Sequence, residues 1–179
     1  MSLHIALLRG INVGGHNLVA MSALRDLCGA LGFVGATTLL QSGNVVFQSD
    51  EVTGATLEAL LERETAKRLN VSPDYIVRNA PEWKKIVARN PFPAEAKDDP
   101  GHLLVMFLKT APAAKNVATL QAAIKGPEII RCEGKQLYAV YPEGVGRSKL
   151  TGTLIEKTLG TRGTGRNWNT VLKLLALCQ

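Results

Sequence analysis

Apolar runs and amphipathic stretches succeed one another along the chain, and their spacing predicts its elements in order. Residues 4–8 are a compact apolar run of the kind a buried strand presents. Residues 9–19 form a polar loop with three glycines and two asparagines. Leu24, Leu27, Cys28 and Leu31 then recur at helical spacing, and Gly32 stands where such a helix closes. Residues 36–41 and 45–48 are β-rich runs around Ser42-Gly43-Asn44, which reads as a hairpin. Over residues 53–69, Leu57, Leu60, Leu61 and Leu69 line one side of a helix. Glu58, Glu62, Arg63, Lys67 and Arg68 occupy the other, with Glu64 and Arg68 at a supporting i, i+4 spacing. Residues 75–78 give a fourth strand. Strand, helix, strand, strand, helix, strand is the ferredoxin-like order.

The second half repeats much of that order. A helix over residues 81–90 leads to a Pro- and acid-rich stretch, 91–101, that reads as a linker. Residues 102–109 predict a strand and 113–124 a helix. Residues 128–132 and 136–141 predict a hairpin around Glu133-Gly134-Lys135. Leu150, Leu154, Ile155 and Leu159 mark a helix closed by Gly160, and the last helix carries Trp168, Val171, Leu172 and Leu175 on one face. The expected fold is α+β, two ferredoxin-like halves packed together, over 1–90 and 102–179. The second half is modified, with added C-terminal helices where its fourth strand would stand. The repeat is one of element order, with no residue-level identity seen between the halves.

Composition narrows the class. Hydrophobic content of 46% with 20% charged residues fits a chain that buries an ordinary core. Cys28, Cys132 and Cys178 form no C-x-x-C pair, which argues against a disulfide framework or a thiolate zinc site. The N-terminus lacks the basic start and long apolar stretch of a signal peptide, and the longest apolar run, 103–108, is too short for a membrane span. A cytoplasmic location, no membrane and no metal or cofactor are the expectations. The formal charge is +6, and +5 of it lies in residues 146–179. That asymmetry permits an acidic partner such as a nucleotide, a nucleic acid or another phosphate-bearing ligand.

Candidate chemistry gathers in a few segments. Arg9-Gly10-Ile11-Asn12-Val13-Gly14-Gly15-His16-Asn17 fits neither a P-loop nor a dinucleotide fingerprint. Gly14 and Gly15 allow close backbone approach to an anion. The plainer reading is a tight loop in which Asn12 and Asn17 bond their own backbone. Residues 161–169 form a glycine-loosened basic loop running into the last helix. Asn167 is placed to cap that helix, and Arg162 and Arg166 bring forked cations suited to phosphate or carboxylate. Trp168 belongs to the apolar face of the helix. Arg147-Ser148-Lys149 opens the preceding helix with Ser148 as its expected cap. His4, His16 and His102 show no metal spacing.

Three segments together carry a resemblance. Residues 7–15 (LLRGINVGG), 41–47 (QSGNVVF) and 166–171 (RNWNTV) resemble, in order and across essentially the whole chain, the domain-of-unknown-function family 1697. The resemblance implies a bacterial-type cytoplasmic α+β protein of two ferredoxin-like halves and implies no activity. His16 stands where such proteins often carry lysine, and Gly165 where they often carry a hydroxyl residue. It also groups Arg9, Asn12, Asn44, Arg166 and Asn169 as one polar cluster.

The leading expectation is therefore a module binding a phosphate-bearing ligand. Arg162 and Arg166 neutralise charge, Asn12, Asn44 and Asn169 orient a polar group, and Asn167 caps the helix start. Two alternatives stay open: an enzyme on a small phosphorylated or carboxylated substrate using His16 or Lys149, and a structural or self-associating protein with no ligand. Aromatic content of 5% counts against base stacking as the main mode.

Overall fold

A computed structural model describes residues 1–50 and 53–179. Internal contacts divide the chain into two units, Met1–Lys85 with Leu174–Gln179, and Ile86–Lys173.

The first unit runs β1 (Ser2–Arg9), α1 (Met21–Ala30), β2 (Val34–Thr38), β3 (Asn44–Ser49), α2 (Gly54–Leu69), β4 (Asp74–Asn79), and then α3 (Ala80–Ala88) begins. Its four strands form an antiparallel sheet in the order β2-β3-β1-β4. Ala6, Leu8, Val45, Phe47, Tyr75 and Val77 from one face of that sheet pack with Leu24, Leu27, Leu57 and Leu61 of α1 and α2. Phe33 and Phe47 stack with ring centroids 4.5 Å apart. The alternate residues of the sheet, Ile5, Leu7, Val46 and Ile76, are buried as well. Thr53 caps α2 by accepting from Thr56 N at 3.1 Å, and Asn70 ends it in the left-handed region at φ 54°.

The second unit holds α4 (Pro93–Asp98), β5 (Leu103–Leu108), α5 (Ala114–Ala123), β6 (Ile129–Glu133), β7 (Gln136–Val140), α6 (Gly152–Leu159), β8 (Gly163–Asn167) and the start of α7 (Trp168–Ala176). Its sheet order, β6-β7-β5-β8, matches that of the first unit. Met106, Leu108, Leu137 and Ala139 pack with Leu120, Ile155 and Leu159 in a core of its own. The fold is α+β with two ferredoxin-like halves and an extra C-terminal helix.

The structure departs from the expected elements in three places. The fourth strand of the second half is present as β8, inside the segment read as a basic loop. Its sequence, Gly-Thr-Gly-Arg-Asn, lacks the β-branched apolar alternation that signals a strand, because its glycines serve close packing instead. A Cβ on Gly163 would stand 2.8 Å from Phe107 O and 2.8 Å from Leu108 Cδ2. The stretch 91–101, read as a linker, contains α4. In α7 the buried positions are Trp168, Thr170, Val171 and Leu174, while Leu172 is 41% exposed.

The halves also share residues. Arg78 opposes Ile5 of β1, and Arg166 opposes Val105 of β5. Each arginine donates from Nη1 to the carbonyl of the residue before it, at 3.0 Å for Val77 O and 2.9 Å for Gly165 O. Each is followed by an asparagine that caps the next helix. Asn79 Oδ1 accepts from Glu82 N at 2.8 Å, and Asn167 Oδ1 from Thr170 N at 3.0 Å.

Candidate functional site

The glycine loop after β1 is closed on itself. Asn12 N donates to Asn17 O at 3.1 Å, His16 N to Val13 O at 3.0 Å, and Asn17 Nδ2 to Gly10 O at 3.0 Å. The Asn12 amide ties the loop down. Its Oδ1 accepts from Val19 N at 2.8 Å, and its Nδ2 donates to Val19 O at 3.0 Å and to Gln41 O at 2.8 Å. Asn12 and Asn17 hold φ of 53° and 51°, a region asparagine tolerates better than most residues. Gly14 and Gly15, at φ 57° and 76°, form the exposed tip beside His16.

Asn44 lies at the base of the neighbouring hairpin, fully buried, donating to Leu39 O at 2.6 Å and to Ser42 Oγ at 3.1 Å. Gly43 before it sits at φ 86°, and a Cβ there would meet Ile11 Cδ1 at 2.7 Å and Leu8 Cβ at 2.9 Å. Arg9 pairs across the strands with Asp74 at 3.4 Å. In the first unit the sequence-selected Arg9, Asn12, Gly14, Gly15 and Asn44 therefore stand around two adjoining turns. The Asn12–Gln41 bond joins those turns.

Arg162, Arg166, Asn167 and Asn169 belong to the second unit. Arg166 is buried within β8, and its Nη1 also donates to Thr164 Oγ1 at 2.6 Å. Burial lowers its pKa to about 10, which leaves it cationic at neutral pH. Asn167 caps α7 as expected, with Asn169 exposed in the first turn. Arg162 is exposed just before β8, and its carbonyl accepts from Lys109 N at 2.9 Å.

That backbone bond brings together residues the sequence reading did not connect. Lys109 at the end of β5, Lys157 in the last turn of α6 and Arg162 line one open depression of about 540 Å³, together with Thr110, Thr153 and Thr161. Thr161 Oγ1 accepts from Thr110 N at 3.1 Å, so the rim is held by its own hydroxyl bonds. Glu156 is the carboxylate in this lining, and its Oε1 accepts from Gly163 N at 3.2 Å. Lys109 and Arg162 are far apart in sequence, and only the β5–β8 pairing makes them neighbours.

Ser148 is not the cap of α6. Thr151 is, accepting from Leu154 N at 3.2 Å, because the helix begins at Gly152. Ser148 Oγ accepts from Leu150 N at 3.0 Å and donates at 2.6 Å to Oε1 of Glu128, which with Arg147 and Lys149 lines a cavity of about 340 Å³. Among the described residues no group of three or more His, Cys, Asp or Glu side chains gathers as a metal site. No described helix is long and apolar enough to cross a membrane.

No protein with a curated description matches the chain. The chain is similar in fold to a conserved bacterial protein, SP0830 from Streptococcus pneumoniae, with a TM-score of 0.78 and 22% identity covering 99% of each chain. At that identity the likeness concerns the fold alone. The family model described as "Protein of unknown function (DUF1697)" matches residues 1–138, and the chain belongs to that family.

Proposed function

We propose that the chain binds a phosphate-bearing ligand, and specifically the backbone of a nucleic acid, through the depression formed by Lys109, Lys157 and Arg162. The observation that supports this is the convergence of those three cations and three threonine hydroxyls in one lining with a single carboxylate. That carboxylate accepts from a strand N–H, which lessens its repulsion of an anion. The depression is broad and open, so it suits an extended polyanion better than an enclosed metabolite. Recognition there is electrostatic, since the lining has no aromatic side chain for a base to stack on.

The test is fluorescence anisotropy with labelled single-stranded RNA and DNA over a series of salt concentrations. Binding should weaken steeply with salt. Lys157→Ala/Arg162→Ala should weaken it for every sequence and lower the slope of log K against log salt by roughly 0.7 per lost phosphate contact. Binding unchanged in the double variant, or none at low salt, would refute the reading. A lower melting temperature with no change in binding would assign the cations to complementing the carbonyl end of α6.

A further inference from the structure

The two halves can be compared position by position at their outer strands, β4 and β8. Both are edge strands, and alternate N–H groups of each point away from the sheet. In β4 the outward donors at 75 and 77 are closed by one face of α2. Tyr75 N donates to Glu62 Oε1 at 2.9 Å and Val77 N to Glu58 Oε1 at 2.9 Å. In β8, Gly163 opposes Leu108 as Tyr75 opposes Leu8. Gly163 N donates to Glu156 Oε1 at 3.2 Å, so Glu156 of α6 takes the part of Glu62. The next outward donor in β8 is Gly165 N–H, the counterpart of Val77 N–H. One helical turn before Glu156, where α2 carries Glu58, α6 carries Gly152. A Cβ built on Gly152 stands 3.8 Å from Met106 Cε, and Met106 is the strand partner of Gly165, so the helix lies over the same point.

The cation beside this donor is retained. Arg78 Nη1 bonds Val77 O, Arg166 Nη1 bonds Gly165 O, and the negative charges of Glu58 and Glu82 act on the Arg78 guanidinium. The first unit thus seats a carboxylate on a strand N–H with a buried guanidinium alongside. The second unit keeps the N–H and the guanidinium and replaces the carboxylate-bearing residue with glycine.

We infer that the edge of β8 is a receptor for a carboxylate from outside the chain, taken on Gly165 N–H beside Arg166. The ligand is a small carboxylate or an acidic side chain, and its carboxylate sits where Glu58 sits in the first unit. The inference stands on strand register and does not depend on the basic depression, so either reading can fail while the other holds.

The experiment follows the Gly165 amide by ¹⁵N–¹H correlation spectroscopy of the full chain. Sodium acetate is titrated at constant ionic strength against sodium chloride. The Gly165 amide should move downfield and saturate with acetate and stay unmoved with chloride. Gly152→Glu supplies from within the carboxylate found in the first unit. It should place the Gly165 amide at its acetate-bound position and abolish the titration. A Gly165 amide unmoved by acetate in the wild-type chain overturns the inference. So does saturation in Gly152→Glu equal to that of the wild type. A response to inorganic phosphate with none to acetate overturns the carboxylate assignment.

Discussion

Gly43 and Gly10 make a matched pair for separating backbone strain from steric clash. Both hold a left-handed backbone, at φ 86° and 74°. An L-residue forced there loses roughly 1–2 kcal/mol. Around Gly10 an added Cβ meets nothing within 4 Å, so Gly10→Ala should carry that cost alone. Around Gly43 the same atom lands 2.7 Å from Ile11 Cδ1 and 2.9 Å from Leu8 Cβ, both in buried residues. Overpacking of that kind adds roughly 1–3 kcal/mol. Gly43→Ala should therefore destabilise by about 3 kcal/mol and Gly10→Ala by about 1.5 kcal/mol. For a chain of this length those values correspond to Tm losses of about 6–12 °C and 3–6 °C. Thermal denaturation followed by circular dichroism measures both. Equal losses in the two variants would refute the claim that Gly43 is fixed by the approach of Ile11 and Leu8.

Two further predictions concern titration and reactivity. Arg68 and then Arg63 bond Glu64 and lower its pKa. A carboxylate depressed on folding contributes stability above its unfolded value, and that stability is lost as pH falls through the folded one. The Tm difference between wild type and Glu64→Gln should thus be present at neutral pH and shrink below about pH 4, and a difference that persists in acid would contradict it. Burial pushes the Cys28 thiol up to about 12. Alkylation at neutral pH should accordingly modify half-buried Cys132 first and reach Cys28 only after denaturant is added. Rapid native-state labelling of Cys28, found by peptide mapping, would contradict the burial argument.

Much of the fold was legible because its strands and helices bury strong periodic faces. The run over residues 4–8, the leucines of α2 and the hairpin around Ser42-Gly43-Asn44 all announce themselves by spacing. β8 did not, because its Gly-Thr-Gly-Arg-Asn sequence packs through absent side chains, and no periodicity rule registers that. The kinship of Arg78-Asn79 with Arg166-Asn167 was hidden for a related reason. Its meaning lies in strand register and helix capping, and two shared residues do not rise above chance in a one-dimensional comparison. At the candidate sites, Asn12 and Asn17 were legible as loop-tying amides. Lys109 and Lys157 were not connected with Arg162, since only sheet pairing brings them to one lining.

The two glycines of β8 are held by different kinds of neighbour, and this sets how each position can vary across the family. A Cβ at 163 would run into Phe107 O at 2.8 Å, a main-chain atom that cannot retreat without breaking the sheet. A Cβ at 165 would run into Leu104 Cδ2 at 2.9 Å, the tip of a side chain that a different rotamer or a smaller residue removes. Position 163 is therefore closed to drift, whereas 165 is free to change in concert with 104. Relatives that carry a hydroxyl residue at 165 should have given up the leucine at 104 or turned it aside, so the two columns should covary while column 163 stays glycine.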